Sequence, residues 1–374
     1  MKLDKLLKQQ LLILPKSWKD FGYSSYYDCV VNESTKFLNL LCKLDDTENY
    51  GESKYIGDLT KENLISIVSN FRSMVLAVLQ CYLNKGNPHE AYNVLNKWLT
   101  QKEPKSTNKP LLFFLEFDNI YPQHYRLRKT HSKVNIDFGD LFHIPFEERH
   151  NIQSNRYSIS GYPTLYFSNS VFLAYKELGE LDYDGLFVSK FRHTRHFNKT
   201  ETLLDMTNKP VDNTVESKFK FIARWILLMA CSVKVGFSTS PFKPEYILPQ
   251  IIFQWVKNNI KIGSRKIIGI KYSSTKIIDN KDGFYGYFYN TAIPIRHSGK
   301  NGYCDTLAKQ FCMTKPISFH EALKHTGETS IQGQVKSIEI NGASVEYENT
   351  DFGKIEQVLS TSPYSEWFHV SGKA

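Results

Sequence analysis

Residues 156–178 read RYSISGYPTLYFSNSVFLAYKEL, and the stretch decides the fold class because a strand and a helix can both be read in it. Arg156 precedes a loop that Gly161 and Pro163 bend. Thr164-Leu165-Tyr166-Phe167 is a β-branched and apolar run, which predicts a short strand. Ser170 stands where a helix needs a cap, and Val171, Ala174, Tyr175 and Leu178 recur at three- and four-residue spacing, which predicts a helix. Glu177 falls near the end of that helix. A short return from strand to helix lets Tyr166 and Glu177 face one cleft, so an arginine, a tyrosine and a carboxylate belong to one strand-turn-helix unit.

This unit is similar to the core signature of the RES domain family, named for an arginine, a glutamate and a serine that its members share. Tyr125-Arg126 in YPQHYRLRKT resembles the family's early strand, and HIPFEERHNIQSNRYSISGYPTLYFSNS resembles a longer branch of the family. IIGIKYSST resembles the late strand with its serine. Tyr272, two residues earlier, puts that serine at Ser274; Ser273 competes, since a one-residue slip in a strand turns the side chain to the opposite face. The likeness runs over roughly residues 120–275. It implies a mixed α/β core like that of ADP-ribosyltransferase toxins and NAD as a consumed substrate, with no metal. The implied activity is cleavage of the nicotinamide–ribose bond, with water or phosphate as acceptor, in a bacterial toxin or an effector of defence against phage. It also implies that Glu177, Arg126 and Ser274 are catalytic and that Tyr125, Arg156 and Tyr166 bind the dinucleotide.

These residue types suit that chemistry. Nicotinamide leaves NAD as a neutral base, so the reaction needs little acid catalysis and much stabilisation of an oxocarbenium-like sugar. A carboxylate such as Glu177 opposes the developing charge, and in a dry, preorganised site one such interaction contributes on the order of 3 kcal/mol. Arg126 and Arg156 offer planar, paired donors to a pyrophosphate. Tyr166 would stack on the nicotinamide, Ser274 would position a ribose or carboxamide group, and Tyr125 would line the pocket. Each residue also has a plainer role: a surface ion pair, half-buried packing, a solvated helix end, a closed turn. Their joint occurrence in the family's order singles them out.

The chain has 374 residues, room for two domains, and 41% hydrophobic content with 25 Phe and 22 Tyr supplies a sizeable core. No unbroken run reaches the length of a membrane span; WILLMACSVKVGF carries Lys234 and suits a buried helix, so no membrane is expected. MKLDKLLKQQLLILPKSW reads as an amphipathic helix, not a secretory signal, because Asp4, Lys5, Lys8, Gln9 and Gln10 interrupt it. Six cysteines without CxxC spacing argue for reduced thiols in a cytoplasm and against zinc. His193, Arg195 and His196 in RHTRHFN lack a cysteine or carboxylate at ligand spacing. The net charge of +9 suits a solvated basic surface or an anionic ligand, with nucleic acid the weaker reading. Arg126, Arg128, Lys129, His131 and Lys133 either guide an anionic cofactor or protect a strand edge. There is no GxGxxG fingerprint and no phosphate-loop motif.

Up to about residue 105 the periodicity is helical: Leu64, Ile67, Val68, Phe71, Val75, Val78, Leu79 and Tyr82 form one stripe, and Asn87-Pro88-His89-Glu90 opens another helix. QKEPKSTNKP is a linker, with a boundary near residue 108. Beyond it LLFFLEF, TLYF, GLFVSKF and KIIGIKY read as strands, and SKFKFIARWILLMACS and PEYILPQIIFQWVKN as helices, the last kinked or divided at Pro249. SIQGQVKSIEINGASVEYE carries an Asn-Gly hairpin signal. The expected fold is α+β: an amino-terminal helical domain (1–108), a mixed α/β, ADP-ribosyltransferase-like RES core (109–315) and a carboxy-terminal extension (316–374). The helical domain suggests a sensor, a homo-oligomerisation unit, or a surface for an antitoxin or regulatory protein. Two rival functions remain. One is an ADP-ribosyltransferase with a macromolecular acceptor, which shares the cleavage step. The other is a non-catalytic protein that holds nucleic acid on its basic surface in a salt-sensitive way.

Overall fold

A computed structural model describes residues 1–45, 50–53, 57–101, 110–120, 123–130, 136–194, 201–210, 212–259, 261–277, 288–297, 302–325, 335–340 and 343–366. Helices α1 (Tyr26–Leu41), α2 (Lys61–Leu83) and α3 (Pro88–Thr100) precede strand β1 (His124–Lys129). Strand β2 (Thr164–Ser168) leads into α4 (Val171–Leu178) and β3 (Leu186–His193). Helices α5 (Val215–Ala223), α6 (Trp225–Ser232) and α7 (Ile247–Asn258) come before β4 (Arg265–Ser273), β5 (Tyr289–Pro294) and β6 (Phe311–Thr314). The paired strands β7 (Ser337–Ile340) and β8 (Ala343–Glu346) are followed by α8 (Asp351–Thr361) and β9 (Tyr364–Glu366). Helices and strands are segregated enough for the α+β class.

Two compact units result. One comprises Met1–Asp118, Asn155–Tyr157 and Leu204–Asn259, the other Asn119–Ser154, Ser158–Leu203 and Ile260–Ala374. The chain therefore passes between units more often than a division at residues 108 and 315 would have it: the segment carrying α5, α6 and α7 packs with the amino-terminal helices.

In the helical unit, α2 starts where Thr60 accepts a hydrogen bond from the Asn63 amide, and α3 where Asn87 accepts from the Glu90 amide ahead of Pro88. By length and composition α2 is apolar enough to cross a membrane, because its polar residues are scattered; here Leu64, Ile67, Val68, Phe71, Met74 and Val75 are buried. All eight residues of α6 are buried, which explains its lack of a polar face. Two local readings are corrected. LLFFLEF is a 3-10 turn, Leu111–Phe114, followed by a short strand, Glu116–Asp118, and the amino terminus forms a helix over Leu3–Leu7 with a separate 3-10 turn at Gln10–Leu12. The run PEYILPQIIFQWVKN is divided just ahead of Pro249, into a 3-10 turn (Pro244–Tyr246) and α7, whose first turn holds the proline where no amide donor is needed. The linker segment 102–109 and the Asn341-Gly342 turn lie outside the described residues.

The second unit is built on an antiparallel sheet in the order β9-β6-β3-β1-β2-β5-β4. Strand alternation sends Tyr125, Leu127 and Val188 into one apolar cluster, under α4 and α8, and Leu165, Phe167, Phe191 and Ile293 into another on the opposite face. Glu356 of α8 enters the first cluster. It accepts hydrogen bonds from the Val171 amide at the start of α4 (2.7 Å), from the Tyr347 hydroxyl (2.5 Å) and from the Tyr125 hydroxyl. Burial pushes the Glu356 carboxyl up to about 7 despite these donors. The native state thus holds a proton that the unfolded chain releases near pH 4.5, so the stability tied to this group is present below that value and lost as pH rises through about 7. The urea midpoint of the wild type should fall more between about pH 5 and about pH 8 than that of Glu356→Gln; equal falls would contradict the assignment.

Candidate functional site

Helix α4 presents Glu177 for local reasons. Ser170 caps the helix by accepting from the Leu173 amide (3.1 Å), and Val171, Phe172, Leu173 and Ala174 are buried against the sheet. Gly179, at φ 95°, takes the left-handed conformation that ends the helix two residues after Glu177. The Glu177 carboxylate is left partly exposed, 33% by side chain. Its Oε1 accepts from Ser274 Oγ (2.8 Å), just past the end of β4, and from Asn290 Nδ2 (2.7 Å), in β5. Asn290 Oδ1 in turn accepts from Ser168 Oγ (2.6 Å) in β2. The sheet register accounts for this convergence: Asn290 lies opposite Ser168 on one side and opposite Tyr272 on the other. Lys276 Nζ donates to the Glu177 carbonyl (2.7 Å) and stands 3.9 Å from Oε2.

Next to this cluster, strands β1 and β2 pair only at Tyr125 and Ser168 among the described residues. Where the ladder stops, the Tyr166 carbonyl accepts from Arg126 Nη1 (2.9 Å). Arg126 Nε is buried without a hydrogen-bond partner, and no carboxylate among the described residues pairs with the guanidinium. Burial, and secondarily the neighbouring Arg128, pull its pKa down to about 10, which still leaves it charged at neutral pH. Tyr166 is half-buried on the same strand face as Ser168.

Of the six residues singled out in the sequence, Glu177 and Ser274 are joined directly, and Arg126 and Tyr166 are joined at the next strand. Between the two candidate serines, the geometry selects Ser274, which is buried and bonded to Glu177, over Ser273, which pairs with Tyr289. Tyr125 is a core residue, 3% exposed, with its hydroxyl on Glu356; burial raises its pKa, so it packs the sheet instead of lining an open pocket. Arg156 belongs to the helical unit, where Nη1 and Nη2 donate to the carbonyls of Cys231 (2.8 Å) and Val233 (3.0 Å) at the end of α6, its plane over Tyr246. That is a helix-end role, and it differs from the expected phosphate contact.

Asn290, Ser168 and Lys276 went unread in the sequence. The alternation of Thr291 and Ile293 was the signal for β5, yet nothing in it distinguishes Asn290 from a strand-edge polar residue. Of the basic clusters, His131, Lys133, Arg195 and His196 lie outside the described residues. His193 stands 3.5 Å from Glu201, which also accepts from Lys266 and Gln310. Among the described residues no group of three or more His, Cys, Asp or Glu could hold a metal ion.

Chemically, the arrangement is a partly exposed carboxylate fixed on one oxygen, on the sheet face that also carries Tyr166; Arg126 alternates with Tyr125 and Leu127, starts from the opposite face and bonds the Tyr166 carbonyl from there. A carboxylate held in this way can face a cationic or hydroxyl-bearing group of a ligand. No protein-family model and no solved structure matches the chain. Among curated proteins, one from Bacillus subtilis (strain 168) named "Putative toxin YopC" is 28% identical over 346 residues, which cover 88% of this chain and 74% of that protein. The chain is thus similar, over most of its length, to a protein that carries a toxin's name.

Removing the Ser274 hydroxyl takes one donor from Glu177 and leaves the Lys276 amide without its acceptor (3.1 Å). Ser274→Ala should lower the unfolding free energy by about 1–3 kcal/mol in urea titrations, and Ser273→Ala by clearly less. The reverse order would contradict the choice between the two serines.

Proposed function

We propose that this chain is an NAD-cleaving enzyme of RES type that acts as a toxin or defence effector. The observation that carries the reading is the Glu177 carboxylate, held by Ser274 and by Asn290, whose strand neighbours that of Tyr166. An oxocarbenium-like ribose needs a fixed negative charge next to it, and a carboxylate already bonded on one oxygen does not have to reorganise as that charge develops. The partly buried guanidinium of Arg126, with no carboxylate partner among the described residues, would supply what a pyrophosphate requires. Tyr166 would limit the tilt of the nicotinamide ring, and the Ser274 hydroxyl, whose proton goes to Glu177, would act through that carboxylate. The toxin's name borne by the Bacillus subtilis relative supports a harmful activity, and depletion of NAD in the cytoplasm is one. An ADP-ribosyltransferase-like core would carry the site, and the helical unit would receive a regulatory partner such as an antitoxin.

Incubated with NAD alone, the purified protein should release nicotinamide, and Glu177→Gln should lower the rate by about a hundredfold or more while the far-ultraviolet circular dichroism stays unchanged. Phosphorus NMR in phosphate buffer should then show ADP-ribose or its 1-phosphate. Release that requires a macromolecular acceptor would favour the transferase. An unaltered rate in Glu177→Gln, or no release under any of these conditions, would refute the reading.

A further inference from the structure

We infer that Asn290 is a positioning residue that holds Oε1 of Glu177 and thereby makes Oε2 the oxygen presented to the substrate ribose; the inference rests on the NAD-cleaving role proposed above. The donor directions leave little choice. A carboxylate only accepts, so Ser274 Oγ and Asn290 Nδ2 must both donate to Oε1. Asn290 Oδ1 is then turned toward Ser168, whose hydroxyl must donate to it, while Ser274 Oγ takes its own hydrogen bond from the Lys276 amide. Every proton in the network points toward Oε1, and each donor polarises the next.

The supporting groups are buried: Ser168 is 6% exposed, Ser274 3% and Asn290 3%. Flipping the Asn290 amide would lose the bond to Glu177 and set an oxygen against a carboxylate oxygen, while Ser168 could accept from the turned amide, so the carboxylate fixes the orientation. Oε2 differs. Among the described residues it accepts no hydrogen bond, and its neighbour, Lys276 Nζ, stays 3.9 Å away while bonded to the carbonyls of Glu177 (2.7 Å) and Lys176 (3.3 Å). One oxygen is therefore committed to the protein and the other is open to a ligand. An amide is needed at position 290 because an aspartate would face Glu177 with like charge and an alanine would supply no donor.

The test combines turnover with stability. Asn290→Ala should lower kcat for nicotinamide release by about a hundredfold, as expected when a reacting group is misplaced by a small distance. KM should stay within about threefold, since ground-state binding is not the function removed. Ser168→Ala should show the same pattern in weaker form. In urea titrations Asn290→Asp should have a lower midpoint than Asn290→Ala. The exchanged pair Glu177→Gln with Asn290→Asp should recover the midpoint, because amide and carboxylate re-form their hydrogen bond with roles swapped, and yet stay inactive. A kcat in Asn290→Ala within about twofold of wild type, or an exchanged pair no more stable than Asn290→Asp alone, would overturn the inference. If the wild type releases no nicotinamide, the NAD-cleaving reading fails on its own. The exchanged pair then still decides whether Asn290 holds residue 177, and absence of recovery sinks that too.

Discussion

The hydrogen bonds that converge on one oxygen of Glu177 tie together three elements far apart in sequence: the end of α4, the residue just past β4 and the start of β5. They form only if the antiparallel register of β2, β5 and β4 brings Ser168, Asn290 and Tyr272 into line, and only if α4 stops at Gly179. Slipping β5 by one residue would turn Asn290 to the opposite face and replace it with an apolar or β-branched neighbour. The apolar clusters on the two faces of the sheet resist such a slip, since Ile293 would leave its place beside Leu165. Packing of the core and assembly of the polar site are therefore one constraint.

A second feature depends on the same sheet. Because β1 and β2 part after a single residue pair, the Tyr166 carbonyl is left without its ladder partner and Arg126 supplies the hydrogen bond. A partly buried guanidinium whose partner among the described residues is one carbonyl is a costly arrangement that an anion would complete. The helical unit uses Arg156 differently, to satisfy the carbonyls at the end of α6 with both arms of the guanidinium. Two arginines that look alike in sequence thus diverge in role: one is closed by the protein, the other is left open.

Much of this was legible wherever the cause is local. The cap at Ser170, the β-branched and apolar run of TLYF, the spacing that carries Glu177 and the Asn87-Pro88 helix start all depend on neighbours within a few residues, and the structure has them as read. Ser274 was singled out because Tyr272 matches the tyrosine that stands two residues before the serine in the family the stretch resembles. Roles set by distant partners were not legible: nothing near Arg156 points to Cys231 and Val233, and nothing near Asn290 points to Glu177, 113 residues away. The same holds for Tyr125, whose burial follows from the packing of α8, and for α5 to α7, whose union with the amino-terminal helices is a long-range property. Pro249 is intermediate, since its effect depended on where α7 begins, a boundary that periodicity leaves free by a turn.

The central claim is that Glu177 faces the ribose of a bound dinucleotide. A crystal structure of the Glu177→Gln protein with intact NAD tests this most directly. The account predicts a nicotinamide-ribose hydroxyl within hydrogen-bonding distance of residue 177, the ring against Tyr166 and a phosphate on Arg126. A dinucleotide bound elsewhere, or a ribose remote from residue 177 with Asn290 still in place, would contradict it.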